Sequence, residues 1–154
     1  MDRPTIVIED PDQPEILAMF AAADAYYAAL YPAESNHLLE VAALKRPEVA
    51  FYVARVAGRA KGFGSVVRQG GGYGEIKRMY VDPAARGHRL GRMILETLEA
   101  SARRDGIRHL RLETGVRQAE ALALYRAAGY RETGPFGDYH ADPLSVFMTK
   151  QLDQ

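Results

Sequence analysis

The 154-residue chain contains no cysteine. Disulfides, thiolate metal sites and a cysteine nucleophile are therefore excluded, and the composition suits a reducing cytoplasmic setting. It also lacks net charge: twenty Lys and Arg balance twenty Asp and Glu. Without a global positive field, nucleic acid and anionic membrane are not expected as partners. No apolar run reaches the ~18 residues that a membrane span requires. The opening Met1-Asp2-Arg3-Pro4 leads into an acidic stretch with no apolar signal core. The four histidines are scattered, with no His-x-x-x-His or carboxylate companion at ligand spacing, so no metal site is expected. There is no internal repeat, no inter-domain linker, and no low-complexity segment beyond Gly70-Gly71-Gly72.

What is present is ordinary globular composition, 47% apolar and 26% charged, at a length that suits one domain over residues 1–154. Ile6-Val7-Ile8 reads as a short first strand. Asp12 followed by Glu15, with Pro14 between them, is a capping-box pattern that starts a helix. Ile16, Phe20, Ala23, Tyr27 and Leu30 supply its apolar stripe. Tyr31-Pro32 ends it, because a residue before proline is driven out of helical geometry. Ser35 is placed to cap a second helix running to Leu44, stopped by Pro47.

The pattern then changes to strands over Ala50–Val56, Ala60–Gln69 and Tyr73–Val81, with turns at Ala57-Gly58-Arg59 and at the three glycines. Asp82-Pro83 closes the third of these. Arg89–Arg103 is the clearest helix, with Leu90, Ile94, Leu98 and Ala102 on one face and Gly106 as its stop. A strand over Ile107–Glu113, an alanine-rich helix over Ala119–Ala128, a strand near Tyr130 and a last strand over Leu144–Lys150 complete the chain. This order implies a mixed sheet with helices on its faces.

The chemistry concentrates in Met79-Tyr80-Val81-Asp82-Pro83-Ala84-Ala85-Arg86-Gly87-His88-Arg89-Leu90-Gly91-Arg92. A strand end, a proline-limited turn and a basic glycine-bearing loop lead into a helix. A helix start leaves N–H groups unpaired and carries roughly half a positive charge, which favours phosphate. Gly87 and Gly91 allow close backbone approach, and Arg86, Arg89 and Arg92 add guanidinium donors. The loop ends Gly91-Arg92-Met93, which is not the Gly-Lys-Ser/Thr of a Walker loop, and no Gly-x-Gly-x-x-Gly occurs. On composition alone, such a loop is equally a surface turn with charges at a helix cap.

Arg86-Gly87-His88-Arg89-Leu90-Gly91 resembles the acetyl-CoA signature of the GNAT superfamily of N-acetyltransferases, Gln/Arg-x-x-Gly-x-Gly/Ala, with Arg89 in place of the middle glycine. Downstream, Gln118-Ala119-Glu120-Ala121-Leu122-Ala123-Leu124-Tyr125-Arg126-Ala127-Ala128-Gly129-Tyr130 resembles that family's Asn-x-x-Ala-x-x-Leu-Tyr-x-x-x-Gly-Phe/Tyr, with Gln118 in place of asparagine. The two motifs stand in the family's order, and the resemblance extends from about Phe51 to Lys150.

The resemblance implies an α/β (α+β) fold: a mixed, mostly antiparallel sheet of six to seven strands, about four helices on its faces, and a splayed central strand pair. It implies acetyl-CoA as co-substrate, with pantetheine against Met79, Tyr80 and Val81 and the remaining contacts from Arg86 through Arg92, Gln118 and Tyr125. An amine then attacks the thioester directly. Tyr125 corresponds to the family's general-acid tyrosine, although without the motif it reads first as a core aromatic at helical spacing. Glu113 and Glu75, on neighbouring strands, are the candidate bases, since an alkylamine must lose a proton before it attacks. His88 is expected to face solvent.

For the acceptor, Tyr31, Glu34 and His37 in the loop between the first helices, with Asp138 and Tyr139 before the last strand, offer acidic and aromatic groups to a cationic amine. The alternative is that both segments are surface loops shaped by turn residues. A small primary amine is the expected acceptor. The alternatives are a peptide N-terminus and a CoA-binding module without catalysis. Dimers are common in the resembled family, and exposed strand edges permit a homodimer.

Overall fold

A computed structural model describes residues 3–86 and 89–152. In chain order the elements are β1 (Thr5–Ile8), α1 (Pro14–Leu30), α2 (Val41–Leu44), β2 (Val49–Val56), β3 (Arg59–Arg68), β4 (Tyr73–Val81), α3 (Leu90–Arg104), β5 (His109–Gly115), α4 (Ala119–Ala127), β6 (Arg131–Thr133) and β7 (Ser145–Gln151). The seven strands form one sheet in the order β1-β2-β3-β4-β5-β7-β6. Every pairing is antiparallel except β4 with β5. This is the mixed sheet that the element order implied and the mostly antiparallel one that the family resemblance implied.

Strand residues alternate between two cores, as a pleated backbone requires. Phe51 and Val53 join Phe63 and Tyr80 beneath α1 and α2, against Ile16, Phe20, Ala23 and Leu44. Tyr52 and Ala54 face the opposite side, where Leu90, Ile94, Leu98 and Ala102 of α3 pack with Leu122 and Tyr125 of α4. Two glycines set how close α3 lies to the sheet: a Cβ on Gly62 or Gly64 would stand 3.0 Å from Ile94.

Two local expectations need correction. The capping box does not form. Gln13 is the N-cap of α1 without a side-chain cap bond, and the Glu15 carboxylate instead accepts from Arg55 at 2.8 Å and from the Ala60 N–H at 3.1 Å. The helix expected from Ser35 to Leu44 is replaced by a single 3-10 turn (Ala33–Ser35), an extended stretch and the one turn of α2. Tertiary partners explain this. The Ser35 hydroxyl donates to Asp142 at 2.6 Å, while the carbonyls of His37 and Leu39 accept from the side chains of Lys77 and Arg78. Those oxygens are thereby committed outside any helical ladder.

β4 and β5 pair only from Tyr73↔His109 to Ile76↔Leu112. Beyond that point β4 continues to Val81 and β5 to Gly115 without joining, so the two strands diverge at the centre of the sheet. A β-bulge accompanies the divergence. Phe63 faces Tyr80 and Ser65 faces Lys77, so two residues of β4, Arg78 and Met79, stand against Gly64 alone. Arg78 takes the left-handed conformation, φ 56°, which costs a residue with a Cβ about 1–2 kcal/mol. Its almost fully buried side chain is clasped from three sides, by Asp24 of α1, the Leu39 carbonyl and the Phe20 ring.

The clasp and the strain can be separated by mutation. Arg78→Gly and Arg78→Ala should both lose about 2 kcal/mol or more through the missing charged hydrogen bonds. The alanine variant should lose about 1 kcal/mol further, because it retains a Cβ at positive φ. Urea unfolding of both variants measures this; equal losses would show that the bulge relaxes.

Candidate active site

Three connected cavities follow the opening between β4 and β5. The largest, about 550 Å³, lies on the α3–α4 side. The free edge of β4 (Met79, Tyr80, Val81) forms one wall, the start of α3 (Arg89, Leu90, Gly91, Arg92) with Arg86 another, and Gln118, Ala121, Leu124 and Tyr125 of the α4 region the third. Tyr27, Met79, Gln118, Ala121 and Tyr125 are shared with a small cavity of about 90 Å³ in the opening itself, which adds Tyr31, Arg78 and Glu113 to Gly115. His37, Leu38 and Lys77 are shared in turn with an outer pocket of about 500 Å³ under the loop that precedes β7.

Every described residue singled out in the sequence for the cofactor lines the first cavity; Gly87 and His88 lie outside the described residues. Arg89 is the N-cap of α3 at φ 61°, ψ 17°, the left-handed conformation that glycine takes most cheaply, at the position of the motif's middle glycine. The backbone geometry of the turn thus survives the substitution. Arg86 and Arg92 are partly exposed and bridge only loosely to Glu120 at 3.7 Å and Glu96 at 3.5 Å. Bridges this exposed contribute little, so both guanidiniums are free to re-pair.

Tyr125 is 6% exposed, and its hydroxyl forms no hydrogen bond to another described residue. Burial, followed by the neighbouring Tyr27 and Glu113, raises its pKa, so the group holds its proton. Glu113, on the unpaired end of β5, lines the same small cavity. Burial raises its pKa, opposed by a 2.7 Å hydrogen bond from Ser145 and by the charges of His37 and Lys77.

Glu75 is only 4% exposed and lines the outer pocket, not the small cavity. It accepts from Gln69 at 3.0 Å and from the Tyr139 hydroxyl, and pairs with Lys77 at 3.4 Å. The two carboxylates named from the sequence as candidate bases therefore line different cavities. Glu34, His37, Asp138 and Tyr139 do come together around the outer pocket, with His37 edge-on to Tyr139 at 5.1 Å. Tyr31 does not join them. It is buried in the small cavity, where its hydroxyl accepts from the Arg117 N–H and donates to Gln118. Gln118 in turn accepts from the Gly115 N–H at 3.0 Å, so its amide oxygen closes the β5–α4 turn while its side chain borders the first cavity.

The Acetyltransferase (GNAT) family model matches residues 16–130. This chain belongs to the GNAT acetyltransferase family. It is an acyltransferase. It is 48% identical to the IAA acetyltransferase of Azospirillum brasilense, over 99% of this chain and 100% of that one. It is 40% identical to a solved candidate acyl-CoA N-acyltransferase from Klebsiella pneumoniae, covering 97% and 98% of the two chains at a TM-score of 0.83. The PaiA N-acetyltransferase of Thermoplasma acidophilum, solved in complex with coenzyme A, shares the fold at a TM-score of 0.73, covering 97% of this chain and 99% of that one at 17% identity.

Within this GNAT chain, sequence reasoning missed Lys77 and Arg78. The signal was two consecutive long cations in the middle of an apolar strand. The β-bulge breaks the alternation that would send them to opposite faces: both donate to carbonyls of the loop before α2, and both are buried, at 16% and 5% side-chain exposure. Lys77 donates to the His37 carbonyl and the Tyr139 hydroxyl, joining the loop before α2 to the loop before β7. Among the described residues no helix is long and apolar enough to cross a membrane, and no cluster of three or more His, Asp and Glu is placed to hold a metal ion.

Proposed function

We propose that this GNAT enzyme transfers an acetyl group from acetyl-CoA to the primary amine of a small molecule, by direct attack in a ternary complex. The continuity of the three cavities carries the reading. A cleft at a helix start that favours phosphate, and an outer pocket rimmed by acidic and aromatic side chains, each share lining residues with the small cavity between the splayed strands. The amides of the first turn of α3, with Arg86, Arg89 and Arg92, hold the diphosphate. The unpaired edge of β4 between Met79 and Val81 pairs with the pantetheine arm as an added strand would. Residues 137–142 of the loop before β7 line one side of the outer pocket, whose volume of about 500 Å³ suits a small acceptor.

Acetyl-CoA supplies the activated acyl group, and the chain manages two protons. Glu113, beside the small cavity, takes one from the acceptor ammonium, directly or through water, and so leaves the amine lone pair free to attack. Backbone N–H groups on the β4 edge stabilise the negative charge that develops on the thioester oxygen. As the new C–N bond forms and the C–S bond breaks, Tyr125 donates its phenolic proton to the departing thiolate, and the second proton that the nitrogen releases as the amide forms restores the phenol. Glu75, held by Gln69, Tyr139 and Lys77, anchors the acceptor pocket and is not the base.

Thiol release from acetyl-CoA across a panel of small primary amines tests the reading, with turnover expected for at least one of them. CoA binding without turnover on any amine would reduce the protein to a binding module. With an acceptor of low pKa, whose own titration lies out of range, kcat/KM should fall as pH drops through the raised pKa of Glu113, because protonation removes the base. Glu113→Gln should lower the rate by about 10²–10⁴-fold and abolish that acid limb. Survival of the limb in the variant would place the base elsewhere.

A further inference from the structure

We propose that Ser145 is the positioning residue of the general base: its hydroxyl fixes one oxygen of Glu113 and leaves the other to the acceptor ammonium. The inference rests on the reading of Glu113 as the base and adds the group that holds it. Glu113 pairs with Phe147 across the β5–β7 ladder and Gly115 pairs with Ser145, so Glu113 and Ser145 are diagonal neighbours. Residues two apart on a strand share a face, and a diagonal neighbour lies within reach of a long side chain. Directly opposite Glu113, the buried Phe147 ring offers no hydrogen bond. Ser145 supplies one instead, at 2.7 Å to Oε2. An ionised carboxylate can only accept, so the hydroxyl donates. Oε1 makes no hydrogen bond to another described residue. Glu113 lines the small cavity and Ser145 does not, so the carboxylate is held without loss of the space where the amine arrives.

Ser145 is itself anchored from the other side. Its N–H donates to the Asp142 carbonyl at 3.0 Å. The Asp142 carboxylate accepts from the Leu144 N–H at 2.8 Å and from the buried Ser35 hydroxyl at 2.6 Å. The turn into β7 is therefore fixed whether or not Glu113 is bound to it. Burial favours the protonated form of Glu113, and the Ser145 hydroxyl opposes burial because it bonds the charged form more strongly. Without that donor a larger share of the enzyme carries a protonated Glu113 that cannot accept from the ammonium. The other titratable groups around the carboxylate are His37 in the loop before α2, Lys77 and Glu75 of β4, Tyr31 at the end of α1, Tyr125 of α4 and Tyr139 of the loop before β7. None of them hydrogen-bonds to Ser145, so truncating that side chain removes one contact of the base and leaves its other neighbours in place.

The test is the pH profile of kcat/KM with acetyl-CoA and an acceptor amine of low pKa, for the unaltered protein, Ser145→Ala, Ser145→Thr and Glu113→Gln. In Ser145→Ala the acid limb should move to higher pH by about one unit, which is about a tenfold loss of kcat/KM at any pH on the limb. Above the displaced limb Glu113 is ionised again, so the high-pH plateau should recover to within about threefold of the unaltered protein. Ser145→Thr retains the hydroxyl and should return the limb to its original place. A limb unmoved in Ser145→Ala overturns the proposal. So does a lowered plateau with the limb unmoved, because that is the mark of a residue that only packs. Glu113→Gln tells the two readings apart. If its acid limb survives, the base lies elsewhere and the role of Ser145 falls with it. If that limb is abolished while Ser145→Ala leaves it in place, Glu113 stands and Ser145 alone is wrong.

Discussion

Gly91→Glu should abolish coenzyme A binding while leaving the protein folded. Gly91 stands in the first turn of α3 and lines the large cleft, where the amides of that turn face the proposed diphosphate. A carboxylate there opposes phosphate with like charge, at a cost of about 3 kcal/mol or more, which is at least about a hundredfold in Kd. Folding should survive, because an acidic side chain in the first turn favours the helix dipole. Gly91→Ala separates charge from bulk. Its Cβ would meet only Leu124 at 3.3 Å and Val81 at 3.7 Å, so cofactor affinity should change little. Calorimetric titration of both variants decides the matter, and a folded glutamate variant with normal affinity would remove the diphosphate from this loop.

Tyr125→Phe should separate binding from chemistry. Because the hydroxyl has no hydrogen-bond partner among the described residues, its removal leaves nothing unsatisfied, and stability should hold. The ring remains in the core edge-on to Tyr130, 5.7 Å between centroids, so the wall of the cleft and the affinity for CoA are retained. Loss of a proton donor matched to the departing thiolate should lower kcat by about 10²–10⁴-fold. Turnover that matched the unaltered protein would take Tyr125 out of the mechanism and leave it a packing residue.

The two variants probe the parts of the site most legible in the sequence, because in each the relevant group is set by local geometry. The Asp82-Pro83 turn, the loop and the apolar spacing of Leu90, Ile94, Leu98 and Ala102 place a helix start after a strand end whatever the rest of the chain does. The 118–130 motif places Tyr125 on one face of a short helix in the same way. Readings that depended on a choice of partner fared worse. Asp12 and Glu15 are spaced for a capping box, yet Arg55 and the Ala60 amide outbid the helix end for Glu15. Ser35 is a sound cap residue whose hydroxyl is taken by Asp142 from a hundred residues away along the chain. Local pattern carries no record of such competitors.

Periodicity, turn chemistry and two motifs by themselves settled the order of the elements, the faces of α1 and α3, and the residues that border the large cleft. Only the folded sheet decided that Glu113 and not Glu75 lines the small cavity, that Tyr31 lines it too and not the outer pocket, and that Lys77 and Arg78 bind the surrounding loops to β4. The physical reason is range. Helix and strand signals arise between residues a few positions apart, and they persist in any context. Burial, proton affinity and hydrogen-bond choice depend on atoms that approach through space, here across the opening where β4 and β5 stop pairing.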